Sequence, residues 1–387
     1  MVCSWRESSR GKARKLKART VGIRILNSLI PVLLAFVVGG VVIASIGENP
    51  VETYWILISK SLLTPKGFLT TLHYAAPLIL TGLAIAVNFK AGIYNMGVEG
   101  SVLLGGFFAG IAGAYLPATL DPTMLKLLCL LVGIVCGMLY VVVPALLKAY
   151  FHVDEMVVTL MLNYALAKVL EFLSTGVFRD QGAGYVCTPT ISDGAMFQRI
   201  SSAKLTPFFF ISLAAFVVMF FVMNHSKLGF EITAMGKNVE FADAMGMRVR
   251  RKIIVLMLIS GALAGLAGAG YMLSDQYHYT LSFSGDPGLG WDGMLIALLG
   301  NHSPVGILIA AIFYAALKTG ADNINLYSSV PKEIVTVIQG LIILFLAVKL
   351  LDERFGLRDR ARKRISRRHS AAQTSAGVVS DNNAGEA

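Results

Sequence analysis

The feature that most constrains this chain is a series of apolar runs, each about as long as a bilayer is thick. The first, residues 25–47, reads ILNSLIPVLLAFVVGGVVIASIG. About 20 apolar residues in a helix cross the hydrocarbon core of a membrane. Only 15% of the 387 residues are charged, against about 25% in an average soluble domain. A soluble protein would not need so many runs that are apolar on every side. The sequence therefore predicts an all-α polytopic membrane protein.

The apolar pattern predicts about ten membrane segments. The eighth spans only about ten residues, too few to cross a bilayer. We expect a broken or half-length element there, which is tolerated at membrane depth only where it is buried in protein or lines a cavity. The ten segments are 25–47, 68–87, 98–118, 124–147, 155–175, 207–224, 253–274, 291–300, 305–320 and 333–350.

Basic residues mark both ends of the membrane region. Residues 1–24 carry eight of them and residues 349–368 carry nine, within a net charge of +11. Basic flanks indicate the cytoplasmic side and favour contact with anionic membrane lipid. We interpret them in this way rather than as a nucleic-acid surface. The predicted domains are a cytoplasmic tail at 1–24, a transmembrane domain at 25–350, and a cytoplasmic tail at 351–387 that is basic and then disordered.

With both termini cytoplasmic, the loop 225–252 is predicted to be cytoplasmic, and it holds six basic residues. The loop 176–206 falls on the other side. The same topology places the glycine-rich stretch 89–100, FKAGIYNMGVEG, at the inner ends of spans 2 and 3. The stretch 288–293, GLGWDG, is then expected at the outer side, before span 8.

Two short motifs recur in the same order. VEGSVLLGG at 98–106 resembles WDGMLIALLG at 291–300, and VDEMVVTLMLNYAL at 153–166 resembles VPKEIVTVIQGLII at 330–343. The motifs begin spans 3 and 5, and then spans 8 and 10. Because the offset of five spans is odd, matching motifs approach from opposite sides of the membrane. This is the pattern of a five-plus-five inverted repeat, which many transporters use, with the pathway at the interface of the repeats.

Polar residues within these motifs are candidates for the pathway. An ionisable residue inside a membrane segment needs a reason, so Glu99 and Asp292 come first. The alternative for both is helix capping and packing, because an acid at a helix start is stabilised by free N–H groups. Asn95 and Asn163 are weaker candidates, and Asn163 can equally bond a neighbouring helix.

The loop 225–252 contains a predicted short helix. Asn238 is a suitable N-cap, Glu240 adds an acid to the first turn, and Gly246 follows the end. Phe241 and Met245, four residues apart, form a small apolar face that could dock in a partner's groove. The alternative is a helix that lies against the membrane surface.

In combination, these stretches resemble the permease subunits of ATP-binding-cassette (ABC) importers, in the branch for simple sugars and purine nucleosides. Residues 82–100 resemble that family's F-N-x-G-x-E-G segment, and 153–164 its E-V-I-x-T-L-M-L-N segment. Residues 228–247 resemble its G-x-N-P-x-A-A-x-x-A-G-I loop, followed by SGALAGLAGA at 260–269. Residues 288–300 and 333–345 complete a likeness that covers about 30–350.

Besides an unusual Lys90 in the segment 89–95, three departures from the family pattern fall in the loop with the short helix. They are Val239 for the family's proline, Phe241 for the first of its paired alanines, and Met245 for the alanine before the glycine. These side chains are larger, so they indicate an ATPase partner adapted to this chain.

The resemblance implies a type II importer fold in a bacterial inner membrane and a chain that forms the translocation pathway by alternating access. It implies no cofactor on this chain, with ATP and Mg on separate ATPase subunits. The other implied partners are a second permease subunit, identical or different, and an extracytoplasmic binding lipoprotein. It implies that the loop around 236–246 forms a coupling helix seated on the ATPase, with Gly236, Asn238, Glu240, Phe241, Ala242, Met245 and Gly246. It also implies that Asn95, Glu99, Trp291 and Asp292 lie near the pathway or gate, where Asn163 is the further candidate.

The chain has no G-x-x-x-x-G-K-[ST] phosphate loop, so we do not expect it to be an enzyme that hydrolyses ATP. The likeness favours a nucleoside as substrate over a simple sugar. Two rival functions stay open at this point. One is an ion-coupled secondary transporter, and the other is a membrane enzyme that uses Glu99 or His152 as an acid or base.

Overall fold

The computed structural model describes residues 33–45, 47–117, 120–200, 203–280, 283, 288–327, 334–338 and 340–341. The chain divides into two units, one of residues 1–48 with 333–387 and one of residues 49–332. The first unit contains helix α1 (Leu33–Ser45) and helical residues at 334–338 and 340–341. The predictions for the tails 1–24 and 351–387, and for most of span 10, lie outside the described residues.

The second unit is built from helices, which we number on from α1. Two of its segments have π-helical hydrogen bonding: Ser59–Leu63 after α2, and Met272–Gln276, which continues α10. The helices are α2 (Pro50–Ile58), α3 (Pro65–Lys90), α4 (Val98–Tyr115), α5 (Pro122–Phe151), α6 (Glu155–Thr175), α7 (Phe208–His225), α8 (Lys227–Lys237), α9 (Val239–Ala244), α10 (Val249–Tyr271), α11 (Leu289–Leu299) and α12 (Pro304–Tyr327).

Seven helices among the described residues are long and apolar enough to span a membrane: α3, α4, α5, α6, α7, α10 and α12. The prediction of a multi-pass helical membrane protein is thus confirmed, whereas the count of ten is not. The predicted short eighth element is α11, whose 11 residues extend about 17 Å at 1.5 Å per residue. One feature was not predicted: α2 and the π-helical segment after it lie between the first two predicted spans.

Local sequence signals set several helix starts. Thr64 caps α3 and Asp121 caps α5, and each is followed by a proline at the first helical position. Proline fits there because its missing N–H would have no intrahelical partner. Asp154 accepts hydrogen bonds from the backbone N–H groups of Met156 and Val157 and so caps α6. A carboxylate at this position also interacts favourably with the helix dipole.

Glycines bring α5 and α10 into backbone contact. A Cβ atom on Gly265 would lie 2.2 Å from the carbonyl oxygen of Gly133. One on Gly137 would lie 2.3 Å from the carbonyl oxygen of Gly261. No side chain fits in either place, and small residues are what allow membrane helices to approach so closely.

The helix contacts follow a pattern of exchange. Helix α3 (span 2) packs on α11 and α12 (spans 8 and 9), while α10 (span 7) packs on α4 and α5 (spans 3 and 4). Helices α4 and α5 pack on each other, and so do α11 and α12. Spans 2, 8 and 9 correspond to spans 7, 3 and 4 when each span is replaced by the one five places away. The contacts of span 2 with spans 8 and 9 therefore match the contacts of span 7 with spans 3 and 4. This is the arrangement expected of inverted repeats, so it supports that prediction.

Candidate functional site

The segment between α3 and α4 is held by a ladder of polar side chains on α6, formed by Glu155, Thr159 and Asn163. Glu155 Oε1 accepts from the N–H of Tyr94 at 2.9 Å, and Thr159 Oγ1 accepts from the N–H of Met96 at 3.1 Å. All three ladder residues are buried. Because they are spaced four residues apart, they rise along one face of α6.

Asn163 forms the top of this ladder. Its Nδ2 donates to the Met96 carbonyl at 2.9 Å, and its Oδ1 accepts from the N–H of Gly100 at 3.1 Å. The Tyr140 hydroxyl on α5 also donates to Oδ1, at 2.6 Å. The buried amide of Asn163 is therefore occupied by protein groups on neighbouring elements.

Asn95 lies inside the segment and is also committed to protein partners. Its Oδ1 accepts from the N–H of Gly97 at 2.9 Å, and its Nδ2 donates to the Ser260 hydroxyl of α10 at 3.3 Å. Its side chain is fully buried. Asn95 therefore fixes the turn into α4 and ties it to α10.

The carboxylate of Glu99 accepts hydrogen bonds from the start of another helix, α11. Its Oε1 accepts from the N–H of Gly288 at 3.2 Å, and its Oε2 accepts from the N–H of Gly290 at 2.5 Å. These groups belong to the cap and first turn of α11, so Glu99 caps α11 and not its own helix. Gly290 permits the approach, since a Cβ atom there would lie 2.6 Å from the backbone nitrogen of Glu99.

This contact corrects the expected positions of the two glycine-rich stretches. Residues at the inner and outer surfaces of a membrane cannot touch, yet the starts of α4 and α11 do. The starts of α4 and α11 therefore lie at a common level, and the prediction that places them on opposite sides of the membrane is wrong.

Contacts with three neighbouring helices show how far along each helix this common level lies. Gly100 lies beside Tyr140, 11 residues before the end of α5. Asp292 bonds Tyr314, ten residues after the start of α12. Gly293 lies beside a residue of α3, Thr81, nine residues before the end of that helix. At 1.5 Å per residue these lengths are about 17, 15 and 14 Å. All three helices are able to span a membrane, so the common level lies in the interior of the membrane region and away from these helix ends.

Trp291 and Asp292 follow in the first turn of α11. Both are partly exposed, unlike Asn95, Glu99 and Asn163. The Tyr314 hydroxyl donates to Asp292 Oδ1. The structure thus brings the five predicted pathway residues to one region but divides them. Three are buried among protein partners, and two reach a surface near mid-membrane.

A polar network that the sequence analysis missed surrounds Tyr74, which lies on α3 nearer to its start. Lys204 Nζ donates to the Tyr74 hydroxyl at 3.0 Å, and that hydroxyl donates to Asp322 Oδ2 at 3.4 Å. The ammonium group of Lys318 lies 5.6 Å from the centroid of the Tyr74 ring. Lys318 and Asp322 are four residues apart on α12, and this spacing was a signal that could have revealed the network.

The same network includes a buried histidine. His73 Nε2 lies 3.6 Å from Asp275 Oδ1, and its Nδ1 lies 3.4 Å from the Thr206 hydroxyl. Burial opposes the charge of Lys204, but its hydrogen bond to Tyr74 and the nearby carboxylate of Asp275 raise the pKa of Lys204 above its ordinary value. The ammonium group of Lys204 therefore stays charged, and it offsets the negative charges of Asp275 and Asp322.

The predicted short helix in the loop 225–252 is α9. Asn238 caps it, with Oδ1 accepting from the N–H of Phe241 at 2.8 Å, and Gly246 follows at φ +83°. Phe241 and Met245 are 62% and 66% exposed, whereas Ala242 is fully buried. Helix α9 thus packs on the protein through Ala242 and presents Phe241 and Met245 outward.

Gly236 joins this loop to the membrane helices. A Cβ atom on Gly236 would lie 2.0 Å from the carbonyl oxygen of Lys90 at the end of α3. At the same end of α3, burial and the positive charge of Lys90 lower the pKa of His302. Helix α8 is further fixed by a 2.5 Å ion pair between Glu231 and Lys252 of α10. A displacement of α8 would therefore act directly on α3 and α10.

Comparison with known proteins decides the family. Residues 67–347 match the family described as "Branched-chain amino acid transport system / permease component". The chain belongs to this permease family. No solved structure matches it.

Several curated relatives cover most of the permease. The nucleoside ABC transporter permease protein NupB of Lactococcus lactis is 31% identical over 85% of this chain and 92% of its own length. The guanosine ABC transporter permease protein NupP of Bacillus subtilis is 33% identical over 84% and 93%. The glucose ABC transporter permease protein TsgB13 of Haloferax volcanii is 31% identical over 84% and 88%. The first two organisms each have a second permease of the same description, NupC and NupQ, at 23% and 24% identity.

These relatives establish the chain as an ABC importer permease for nucleosides or sugars. It is a transport subunit and not an enzyme, because in such importers a separate subunit hydrolyses ATP. The described residues contain no group of three or more histidines, cysteines, aspartates or glutamates that could hold a metal ion.

Proposed function

We propose that this permease imports a nucleoside across a bacterial inner membrane. The import function rests mainly on the contact between Glu99 and the start of α11, which joins two helices that begin near mid-membrane. Broken or half-length elements of this kind form substrate sites in transporters with inverted repeats. The two relatives named for nucleoside and guanosine favour a nucleoside as the solute.

Within this region, we assign solute contact to Trp291 and Asp292, because both are partly exposed. An indole ring can stack on a nucleobase, and a carboxylate can accept hydrogen bonds from ribose hydroxyls. Asn95, Glu99 and Asn163 position the helices around them, because each is buried and bonded to protein. All three bond the segments that begin α4 or α11, so they suit a gate.

The energy for transport enters through α9. Its exposed pair, Phe241 and Met245, would fit an apolar groove of an ATPase subunit. Because these side chains are bulkier than the family's alanines, the ATPase partner must have a correspondingly wider groove. In this scheme the surface that carries α9 is cytoplasmic, because the basic residues of the loop 225–252 favour that side of the membrane.

The other residues assigned to the ATPase contact have supporting roles in this scheme. Asn238, Glu240 and Gly246 set the ends of α9, Ala242 seats it on the protein, and Gly236 links the loop to α3. A push on the exposed pair would therefore move the helix as a unit.

We propose a heterodimer with a second, different permease. Two relatives occur in organisms that hold two permeases of the same description, and this chain is closer to one member of each pair, at 31% against 23% and at 33% against 24%. An extracytoplasmic binding lipoprotein would deliver the solute to the opposite surface, to which we assign the loop 176–206. The tails 1–24 and 351–387 remain on the cytoplasmic side.

A simple sugar is the second candidate solute, because the glucose permease TsgB13 is as similar as NupB. Uptake competition separates the two. Cells that express the complete importer should take up radiolabelled guanosine, and excess unlabelled nucleoside should abolish this uptake while excess glucose should not. Glucose uptake that nucleosides fail to inhibit would instead assign the sugar.

A further inference from the structure

A cavity of about 550 Å³ lies between α8, the end of α9 and the start of α10. Its basic lining residues are Lys227, Arg248, Arg251 and Lys252, and its apolar ones include Phe230 and Val255. We call it the basic cavity. It is separate from the mid-membrane region and does not include Phe241, but it shares Met245 and Gly246 with the surface assigned to the ATPase.

The charge of the basic cavity is strongly unbalanced. Glu231 is the acidic residue among its lining residues, and its carboxylate is already paired with Lys252 at 2.5 Å. Lys227, Arg248 and Arg251 thus contribute three positive charges, and all three are exposed. Three positive charges around one cavity attract an anion. Arginine in particular bonds phosphate oxygens through its planar set of N–H donors.

The apolar part of the cavity identifies the anion further. Arg251 and Val255 are four residues apart on α10, a helix able to span the membrane, so the cavity runs from charged groups at its start towards apolar ones. Val255 and Phe230 are 41% and 69% exposed. A free anion would leave these apolar surfaces in water, whereas a molecule with a charged head and a hydrocarbon chain covers both parts.

We propose that the basic cavity binds an anionic phospholipid, with its phosphodiester at Lys227, Arg248 and Arg251 and its acyl chain along Val255. The lipid would then lie beside α8, which contacts α3, and beside α9. A bound lipid would brace the loop at the membrane surface. This inference stands whether or not the solute is a nucleoside.

Native mass spectrometry of the purified full chain, titrated with phosphatidylglycerol or phosphatidylcholine, tests the proposal. We expect selective retention of phosphatidylglycerol and a loss of about tenfold in its affinity for Arg251→Gln, because a charge-assisted bond to phosphate is removed. Lys227→Gln, on α8, should give a similar loss. This second variant keeps the test valid if one of them folds poorly.

Arg250→Gln is the matched control. Arg250 is the neighbour of Arg251, but its guanidinium lies 5.9 Å from the Tyr150 ring centroid and does not line the cavity. The affinity of the Arg250→Gln protein for phosphatidylglycerol should stay within about twofold of the wild-type affinity. Equal retention of both lipids, or equal losses in Arg250→Gln and Arg251→Gln, would overturn the proposal. Displacement of the lipid by millimolar inorganic phosphate would show a site for a free anion and would overturn the lipid assignment.

Discussion

At the scale of single residues, Glu99 shows how one side chain can satisfy two expectations that first looked exclusive. It is an acid at a helix start, but the helix it caps is α11 and not α4. A buried carboxylate is costly unless it is hydrogen-bonded, and here the N–H groups of Gly288 and Gly290 compensate. Capping and gating can thus be the same contact.

We expect Glu99→Ala to lower the free energy of unfolding by roughly 2–4 kcal/mol, because one buried and one partly buried N–H group lose this acceptor. Glu99→Gln should lose less, since its one carbonyl oxygen can replace one of the two acceptors. The measurement is the unfolding midpoint in detergent. Glu171→Gln serves as the control, because Glu171 makes an exposed pair with Lys168 at 2.8 Å and should cost under about 0.5 kcal/mol. A Glu99→Ala protein as stable as the control would exclude the capping role.

At the scale of elements, the ladder on α6 determines where α4 begins. Glu155, Thr159 and Asn163 accept hydrogen bonds from the backbone N–H groups of Tyr94, Met96 and Gly100, in that order. Irregular backbone at membrane depth requires such partners, because water is not available to replace them. The segment can therefore exist only while α6 stays in register beside it.

Thr159→Val tests the ladder. Valine keeps the shape of threonine but cannot accept the N–H of Met96, so we expect a loss of roughly 1–3 kcal/mol in unfolding free energy. In Thr175→Val, the matched control, the lost hydroxyl bonds only carbonyls of its own helix and is exposed. The two variants should differ clearly in unfolding titrations. Equal stabilities would show that the hydroxyl of Thr159 does not hold the segment.

The contact between α5 and α10 gives a second prediction at this scale. Gly265→Ala should destabilise by roughly 1–3 kcal/mol, because its new Cβ atom would force apart two backbones that now touch. Gly184→Ala is the control, since nothing lies within 4 Å of its added Cβ atom. Unfolding in detergent compares the two, and a Gly265→Ala protein as stable as Gly184→Ala would refute the close packing.

Much of this architecture could be predicted from residues alone. Apolar runs located the ends of the spans in the described region to within about seven residues, and Asn238 with Gly246 defined α9. The meeting of Glu99 with Gly288 and Gly290 could not be predicted, because periodicity fixes the faces of a helix and not how deep it starts. The network around Tyr74 was missed for a related reason: its members come from distant parts of the chain.

At the scale of the whole molecule, the structure connects a surface loop to mid-membrane helices. Gly236 lies against the end of α3, and α3 packs on α11 and α12. On the other branch, Glu231 of α8 pairs with Lys252 of α10, which packs on α4 and α5. A force on α9 can thus reach both helices that meet at Glu99. This mechanical connection is what an externally driven permease requires.

We propose that partner ATPases drive transport by acting on α9. The most direct measurement is ATP-dependent nucleoside uptake into proteoliposomes that contain the complete importer, with wild type, Phe241→Asp and, as the conservative control, Phe241→Leu. We predict that wild type and Phe241→Leu accumulate the nucleoside only with ATP, and that Phe241→Asp inserts and assembles but accumulates about tenfold less or none, because a charge is placed in an apolar groove. Accumulation driven by an ion gradient without the ATPase subunits, or unchanged uptake in Phe241→Asp, would contradict the account.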